Sequence, residues 1–223
     1  MKNAFRTAII CIMIFSACSK HENNVLPEDN GCIERIYLPV TAHSVSSADV
    51  TTINGLFSNN QIANGNLRYY KYSRDIFQTL YSPYTKYDQQ IVEVNQYTNG
   101  LRIFVRDLSY SFWDQRFHLR SGEITKGTSL DTLHQLTLPQ LRGLFLASVQ
   151  QFDKAADKFK DVCLKAEFGY YNLNIGVSYA PEVLVKAWRI TPLNSVYPSE
   201  YPIAYYQDNG KLISYDNGIQ TSR

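Results

Sequence analysis

The side chains able to do chemistry are few and widely spaced. Four histidines, His21, His43, His118 and His134, stand far apart, and no two have the spacing of a metal-ligand pair. No His-Glu-x-x-His, Gly-x-Ser-x-Gly, P-loop or dinucleotide-binding glycine motif occurs. Asp107 and Asp114 lie near each other in one meander segment, but a carboxylate pair beside a turn reads as solvated. A nucleophile at Cys32 or Cys163 would need a histidine brought from elsewhere in the chain. His118 reads as a sheet histidine, and Trp113 and Trp188 as core anchors. The residues therefore predict a protein that is not an enzyme, with no catalytic residues, no metal and no cofactor.

What must position these residues is mostly sheet. Ile91 to Ile124 reads as a three-strand meander, broken at Asn99-Gly100 and again at Asp114-Gln115-Arg116. Asn-Gly is a strong hairpin signal because a type I′ turn needs positive φ at both central positions. Alternation in these segments buries one face and leaves the other open to water or a partner. Helical cover is expected from two segments. Ser46 to Asp49 starts one, with Val50, Ile53, Leu56 and Phe57 at helical spacing and a stop at Asn59 and Asn60. Thr137, Pro139 and Gln140 start the other as a capping box, followed by the stripe Leu141, Leu144, Phe145, Val149 and Phe152. Further strands are expected at Leu67 to Tyr72, Cys163 to Leu173, with Gly169 as a bulge, and Val183 to Thr191. Ile203 to Gln207 and Lys211 to Tyr215 form a hairpin around Asp208-Asn209-Gly210. Asp75 to Tyr87 mixes helical spacing with Pro83 and polar neighbours, which favours a loop. The chain thus runs helix then antiparallel strands, twice. This predicts an α+β fold of antiparallel sheets, each packed on a helix.

The leading segment carries an address. Lys2 and Arg6 precede the apolar run Ala8 to Phe15, which is too short to span a bilayer and has the shape of a secretory signal. Phe15-Ser16-Ala17-Cys18 resembles the lipobox of bacterial lipoproteins, with Phe15 where that family usually has leucine. The resemblance implies cleavage after residue 17, lipidation of Cys18, and a membrane anchor on the cell envelope (outer membrane or periplasmic face). Residues 18–30, polar and Asn-rich, would be a flexible tether. Cleavage removes two bases and no acids, leaving 20 of each in the mature chain. That balance argues against non-specific nucleic-acid binding. In an exported chain Cys32 and Cys163 are expected to form a disulfide; two separate buried thiols are the alternative.

The chain has 17 tyrosines among 223 residues. Tyrosine suits both half-buried sheet faces and recognition surfaces. Tyr69, Tyr70, Tyr97 and Tyr110 are the candidate interaction surface.

Gln96-Tyr97, Gly100-Leu101, Ile103-Phe104, Leu108, Tyr110, Phe112 and Ser121-Gly122 together are similar to the fungalysin/thermolysin propeptide motif. Leu136-Thr137 with the helix that follows, Leu184 to Ile190, and Ile203 to Ile213 resemble the PepSY module, with Gln207 where that family often has Asp. The resemblance implies a cystatin-like arrangement in two modules, 31–135 and 136–223, without the protease domain such modules precede. It also implies a non-catalytic envelope lipoprotein that docks on a protein partner such as a protease, as inhibitor or chaperone. A small-ligand or glycan binder with an aromatic pocket is the other reading. A concave surface shared by the four tyrosines would separate the two.

Overall fold

The computed structural model describes residues 26–80, 83–177, 180–193 and 201–218. The expected signal segment and Cys18 lie outside them. Nine strands are present among the described residues: β1 (Ile33–Ile36), β2 (Leu67–Gln78), β3 (Lys86–Thr98), β4 (Leu101–Trp113), β5 (Arg116–Ser121), β6 (Leu164–Asn172), β7 (Leu184–Pro192), β8 (Ile203–Gln207) and β9 (Leu212–Asp216). Two helices, α1 (Ser47–Asn59) and α2 (Leu138–Asp153), complete the fold with a short 3-10 turn at Ala156–Phe159. Among the described residues no helix is long and apolar enough to cross a membrane.

All nine strands belong to one mixed sheet. Its order is β2-β3-β4-β6-β7-β8-β9, with β1 added beside β6 and β5 beside β4. This overturns the expected pair of separate antiparallel sheets, each packed on its own helix. Of the described residues 42% are strand and 18% helix, so the architecture is a large sheet with two helices rather than helix-packed modules. The physical cause is a parallel seam. β4 and β6 pair at Ile103↔Tyr170 and Phe104↔Tyr171, and β1 also runs parallel to β6, from Ile33↔Leu164 to Ile36↔Glu167.

Gly169 makes the seam possible, not a bulge. The β6–β7 ladder passes Gly169↔Ala187 without a register shift. A Cβ at Gly169 would lie 2.4 Å from the Arg102 carbonyl oxygen and 2.8 Å from the Phe104 ring. Gly169→Ala is expected to push β4 off β6 and cost about 2 kcal/mol, the cost of overpacking a filled site. Urea denaturation checks this; an unchanged midpoint would show that the seam tolerates a methyl group.

The other departures are also in the strands. Residues 75–78 and 86–87, expected in a loop, extend β2 and β3, pairing from Asp75↔Gln89 to Gln78↔Lys86. Cross-strand pairing overrides the helical spacing of Ile76, Phe77 and Leu80, and Pro83 falls in the connection. In β4, Ile103 faces Gln96 while Leu108 faces Val94, so residues 104–107 all stand opposite Asn95. Val105, at the centre of this bulge, has φ +58°, a region a β-branched residue rarely occupies. Val105 is exposed. Val105→Gly should therefore raise stability by about 1 kcal/mol, relief of strain outweighing the added chain entropy. A rise in Tm checks it; a fall would mean the valine side chain packs where the strain argument says it does not.

Both helices cover the same face of the sheet. Ser46 Oγ caps α1 by accepting from Asp49 N. Thr137 and Gln140 cap α2 reciprocally. Ile53, Leu56 and Phe57 of α1 pack on Tyr69, Val92, Val94, Leu108, Tyr110 and Phe112. Leu141, Phe145 and Val149 of α2 pack on Ile103, Phe168, Tyr170, Trp188, Ile190 and Tyr206. β4 contributes Leu101 and Ile103 to the core under α2, and Leu108, Tyr110 and Phe112 to the core under α1. The bulge lets one strand serve both.

Residues 26–30, expected to be tether, lie on α2. Leu26 packs against the core and Asp29 N donates to Pro139 O. Cys32 and Cys163 are joined by a disulfide at the start of β1 and β6.

Candidate functional site

The helix-free face carries a recurring local pattern. In four strands a basic residue sits between two buried core residues: Leu67-Arg68-Tyr69, Leu101-Arg102-Ile103, Leu164-Lys165-Ala166 and Trp188-Arg189-Ile190. Alternation sends the flanking side chains under the helices and the basic one to the opposite face. The seam then brings these four strands into one neighbourhood. The result is a cavity of about 590 Å³. Arg68, Lys71, Arg102, Lys165 and Arg189 line it, against Asp107 as the carboxylate in the lining. Ile36, Leu38 and Ile203, with the rings of Tyr70 and Tyr201, supply an apolar wall.

Some of these cations are committed to the fold. Arg68 Nε, Nη1 and Nη2 donate to Ala42 O, Asn95 Oδ1 and Ser44 Oγ, which fastens the loop after β1 onto β2. Lys71 donates to Glu93 across the β2–β3 ladder at 2.6 Å. Asn95 Nδ2 donates to Asp107 Oδ1 at 2.7 Å, holding that carboxylate at the pocket. Arg102 is bound more loosely: Nη2 lies 3.5 Å from Asp107 Oδ1, and Nη1 lies 3.8 Å from Glu167 Oε2. Arg189 Nη1 is also 3.8 Å from Glu167 Oε2. Glu167 is buried on the pocket side of β6. Its Oε2 and the Nε of Arg102 are both buried without a hydrogen-bond partner. Buried polar groups are normally paired, so unmet donors and acceptors beside a cavity mark a place for a ligand.

The four tyrosines do not form one surface. Tyr69 and Tyr110 are buried beneath α1, each packing on Phe57, and burial raises both phenol pKa values above the ordinary one. Tyr69 Oη donates to Asn54 Oδ1. Tyr97 is buried on the other face, its Oη donating to Leu38 O, and burial with the nearby Glu167 carboxylate pushes it up to about 12. Of the four, only Tyr70 lines the cavity. β-strand parity explains the split: adjacent Tyr69 and Tyr70 fall on opposite faces.

The remaining candidates are structural in position. His43 Nδ1 accepts from Tyr69 N, its ring stacks on Tyr69, and burial lowers its pKa. His118 stacks on Trp113 at 3.5 Å, and His134 Nε2 accepts from Arg35 Nη1. Trp188 Nε1 donates to the buried Asp208 carboxylate, which also accepts from Gln135 N and Leu136 N. Asp114 Oδ1 accepts from Asp88 N at the far end of β4 from Asp107. Cys32 and Cys163 are bonded to each other, which removes both as nucleophiles. Among the described residues no group of three or more His, Cys, Asp or Glu could hold a metal ion.

The sequence reading missed Arg102, Lys165, Arg189 and Glu167. The signal that finds the cations is the basic residue between two core residues, repeated in strands far apart in sequence. No protein-family model matches the chain, and comparison with curated proteins and with solved structures also finds no match.

Proposed function

We propose that this is a cell-envelope protein, held to a membrane through a lipid on Cys18, whose helix-free pocket binds a small organic anion with an apolar body. The observation that carries the binding half is the pocket itself: cations from β2, β4, β6 and β7 converge on one side, and Ile36, Leu38 and Ile203 face them. A guanidinium-rich wall favours carboxylate or phosphate groups, and an apolar wall favours the rest of an amphiphilic ligand. The docking of a protease-like partner on a tyrosine-lined sheet face draws less support, because Tyr69 and Tyr110 are buried under α1. The anchor half rests on the lipobox-like residues 15–18 alone.

Calorimetric titration with phenylacetate tests the binding half. Lys165→Gln is expected to weaken affinity about fivefold. The paired Arg102→Gln/Glu167→Gln variant removes one charge of each sign and should lose affinity by about tenfold or more. Equal affinity in all three proteins, or no heat with the wild type, rejects the pocket as an anion site. Mass spectrometry of membrane-fraction protein tests the anchor: a chain beginning at an acylated Cys18 supports it, and an unmodified chain cleaved elsewhere removes it.

A further inference from the structure

One end of the sheet is apolar on both of its faces. Strand register gathers it: Gln78 pairs with Lys86 beside the β2–β3 connection, Gln89 with Trp113 at the end of β4, and Trp113 with Arg116 at the start of β5. Ile76 and Phe117 lie on the face that α1 covers further in, and both remain exposed. Phe77 and Leu119 are exposed on the opposite face. Leu80 and Tyr84 stand in the connection itself, 81% and 67% exposed. Just behind them a ladder of rings crosses all four strands. The Trp113 ring stacks on His118 at 3.5 Å and on Phe77 at 5.4 Å, and lies 4.8 Å from Tyr87. A cluster of large apolar side chains left in water in this way marks a surface that meets something else.

The shape and chemistry of this end choose what it meets. Its apolar side chains point to both faces and to the tip. A second folded surface would cover one side of such a protrusion, whereas lipid closes around all of it. The ladder is rich in rings that carry a polar atom, Tyr87, Trp113 and His118, and rings of that kind settle where headgroups meet acyl chains. Carboxylates resist that environment, and none occurs between Asp75 and Asp88. Asp88 is itself held by Arg74 Nε and Nη2, at 2.7 and 2.9 Å. Lys86 is the one charged residue between those two acids, and a lysine can lay its stem along lipid while its ammonium stays at the headgroups.

We propose that this end of the sheet inserts into the interfacial layer of a phospholipid bilayer, with Leu80 and Tyr84 leading and the ring ladder at headgroup level. The surface shares no residue with the lining of the anion pocket and needs no lipid on Cys18. It gives the folded domain its own foothold on a membrane.

The test uses vesicles of phosphatidylcholine and phosphatidylglycerol in a 3:1 ratio. The protein is the chain from residue 18 onward, which contains every described element, with Cys18→Ser so that no acyl chain contributes. The protein has two tryptophans, and Trp188 is buried under α2, so Trp113 reports on the tip. Vesicles are expected to shift the emission to shorter wavelength, brominated lipid to quench it, and Trp113→Phe to abolish both signals. Leu80→Ser/Tyr84→Ser should weaken vesicle binding in flotation about tenfold. Leu133→Ser removes an equally exposed leucine, 74% exposed on the connector before α2, and should leave binding unchanged. All these positions but Trp113 face solvent, so the variants keep the fold, which circular dichroism checks. No binding to vesicles overturns the proposal. So does binding that leaves the Trp113 emission unmoved, or that Leu133→Ser weakens as much as the double variant. Sedimentation without vesicles supplies the rival outcome: a concentration-dependent dimer that Leu80→Ser/Tyr84→Ser dissolves would assign this end to a second copy of the chain and overturn the membrane assignment.

Discussion

Replacing Arg142 with methionine is expected to lower stability by about 4 kcal/mol, the largest effect of any single side chain considered. Arg142 lies on α2 and its side chain is fully buried. Its Nε donates to Asp29 at 2.6 Å, Nη1 to the carbonyls of Cys32 and Val162, and Nη2 to those of Phe159 and Lys160. All five donors of the guanidinium are thereby used. One side chain ties the N-terminal segment, the disulfide and the turn after α2 to a single helix. Methionine can fill the volume but takes a donor from four carbonyls and a carboxylate; Cys32 O, Phe159 O and Asp29 keep backbone donors while the Val162 and Lys160 carbonyls lose theirs, and breaking such a buried set costs about 3–5 kcal/mol. For a chain of this size the matching fall in Tm is roughly 10 °C. Lysine does not rescue, because a single ammonium cannot reach acceptors spread around a planar fork. Close packing makes the site unforgiving: a Cβ at Gly31 would lie 2.2 Å from Arg142 Nε, and one at Gly143 would lie 2.3 Å from Pro27 O. Differential scanning calorimetry of Arg142→Met measures the effect, and a Tm within 3 °C of wild type would show that these carbonyls find water instead. Asp29, whose carboxyl is held below the usual value first by the Gly31 N–H and then by Arg142, adds a pH signature. Its folded pKa is depressed, so its contribution is full above the unfolded value near 3.8 and is lost as pH falls through the folded one. Arg142→Met should flatten that acid limb.

Removal of the Cys32–Cys163 bond is the second large effect. The two cysteines are 131 positions apart in sequence. In the chain-entropy model a loop that long contributes about 4–5 kcal/mol by restricting the unfolded chain. The double variant Cys32→Ala/Cys163→Ala should therefore unfold at markedly lower urea, with native-like circular dichroism at low denaturant. Its effect should not add to that of Arg142→Met. Arg142 donates to the carbonyl of Cys32 itself, and Leu164 N donates to the same oxygen, so each change loosens what the other holds. Additive losses would show that the disulfide and the guanidinium secure separate parts of the fold.

Local order was legible where the chain announces it locally. Ser46 with Asp49 and Thr137 with Gln140 mark helix starts through cap chemistry that needs no tertiary partner. Asn99 and Gly100 both take positive φ in the β3–β4 turn, as a type I′ hairpin requires. What joins these pieces was not legible. The β4–β6 seam rests on two residue pairs between strands some sixty positions apart, and its trace in the sequence is Gly169, which also reads as a bulge. Without the seam, the repeat of helix then strands suggests separate sheets; with it, there is one. Arg142 lies beside the apolar stripe of α2, and nothing in that stripe announces that its guanidinium is buried against Asp29 and the Cys32 carbonyl.

The pocket was hidden for a related reason. Charge balance over the whole mature chain says nothing of local concentration, and Arg68, Arg102, Lys165 and Arg189 come from four strands scattered over 122 residues. Alternation places each cation on the face away from its flanking core residues. It cannot say that the four strands share that face. The tyrosines failed as markers because parity assigns them singly: Tyr69 and Tyr110 fall under α1, Tyr70 to the pocket, and Tyr97 beneath it.

The central claim is that a small organic anion sits between the cations of β4, β6 and β7. The direct measurement is an NMR titration with phenylacetate, following arginine Nε–Hε resonances with the backbone amides of β4, β6 and β7. Saturable shifts at Arg102 and Arg189 and at the Lys165 amide, with Arg142 Nε unmoved, are the predicted result. Shifts confined to other parts of the molecule, or none at millimolar phenylacetate, would contradict the pocket as the binding site.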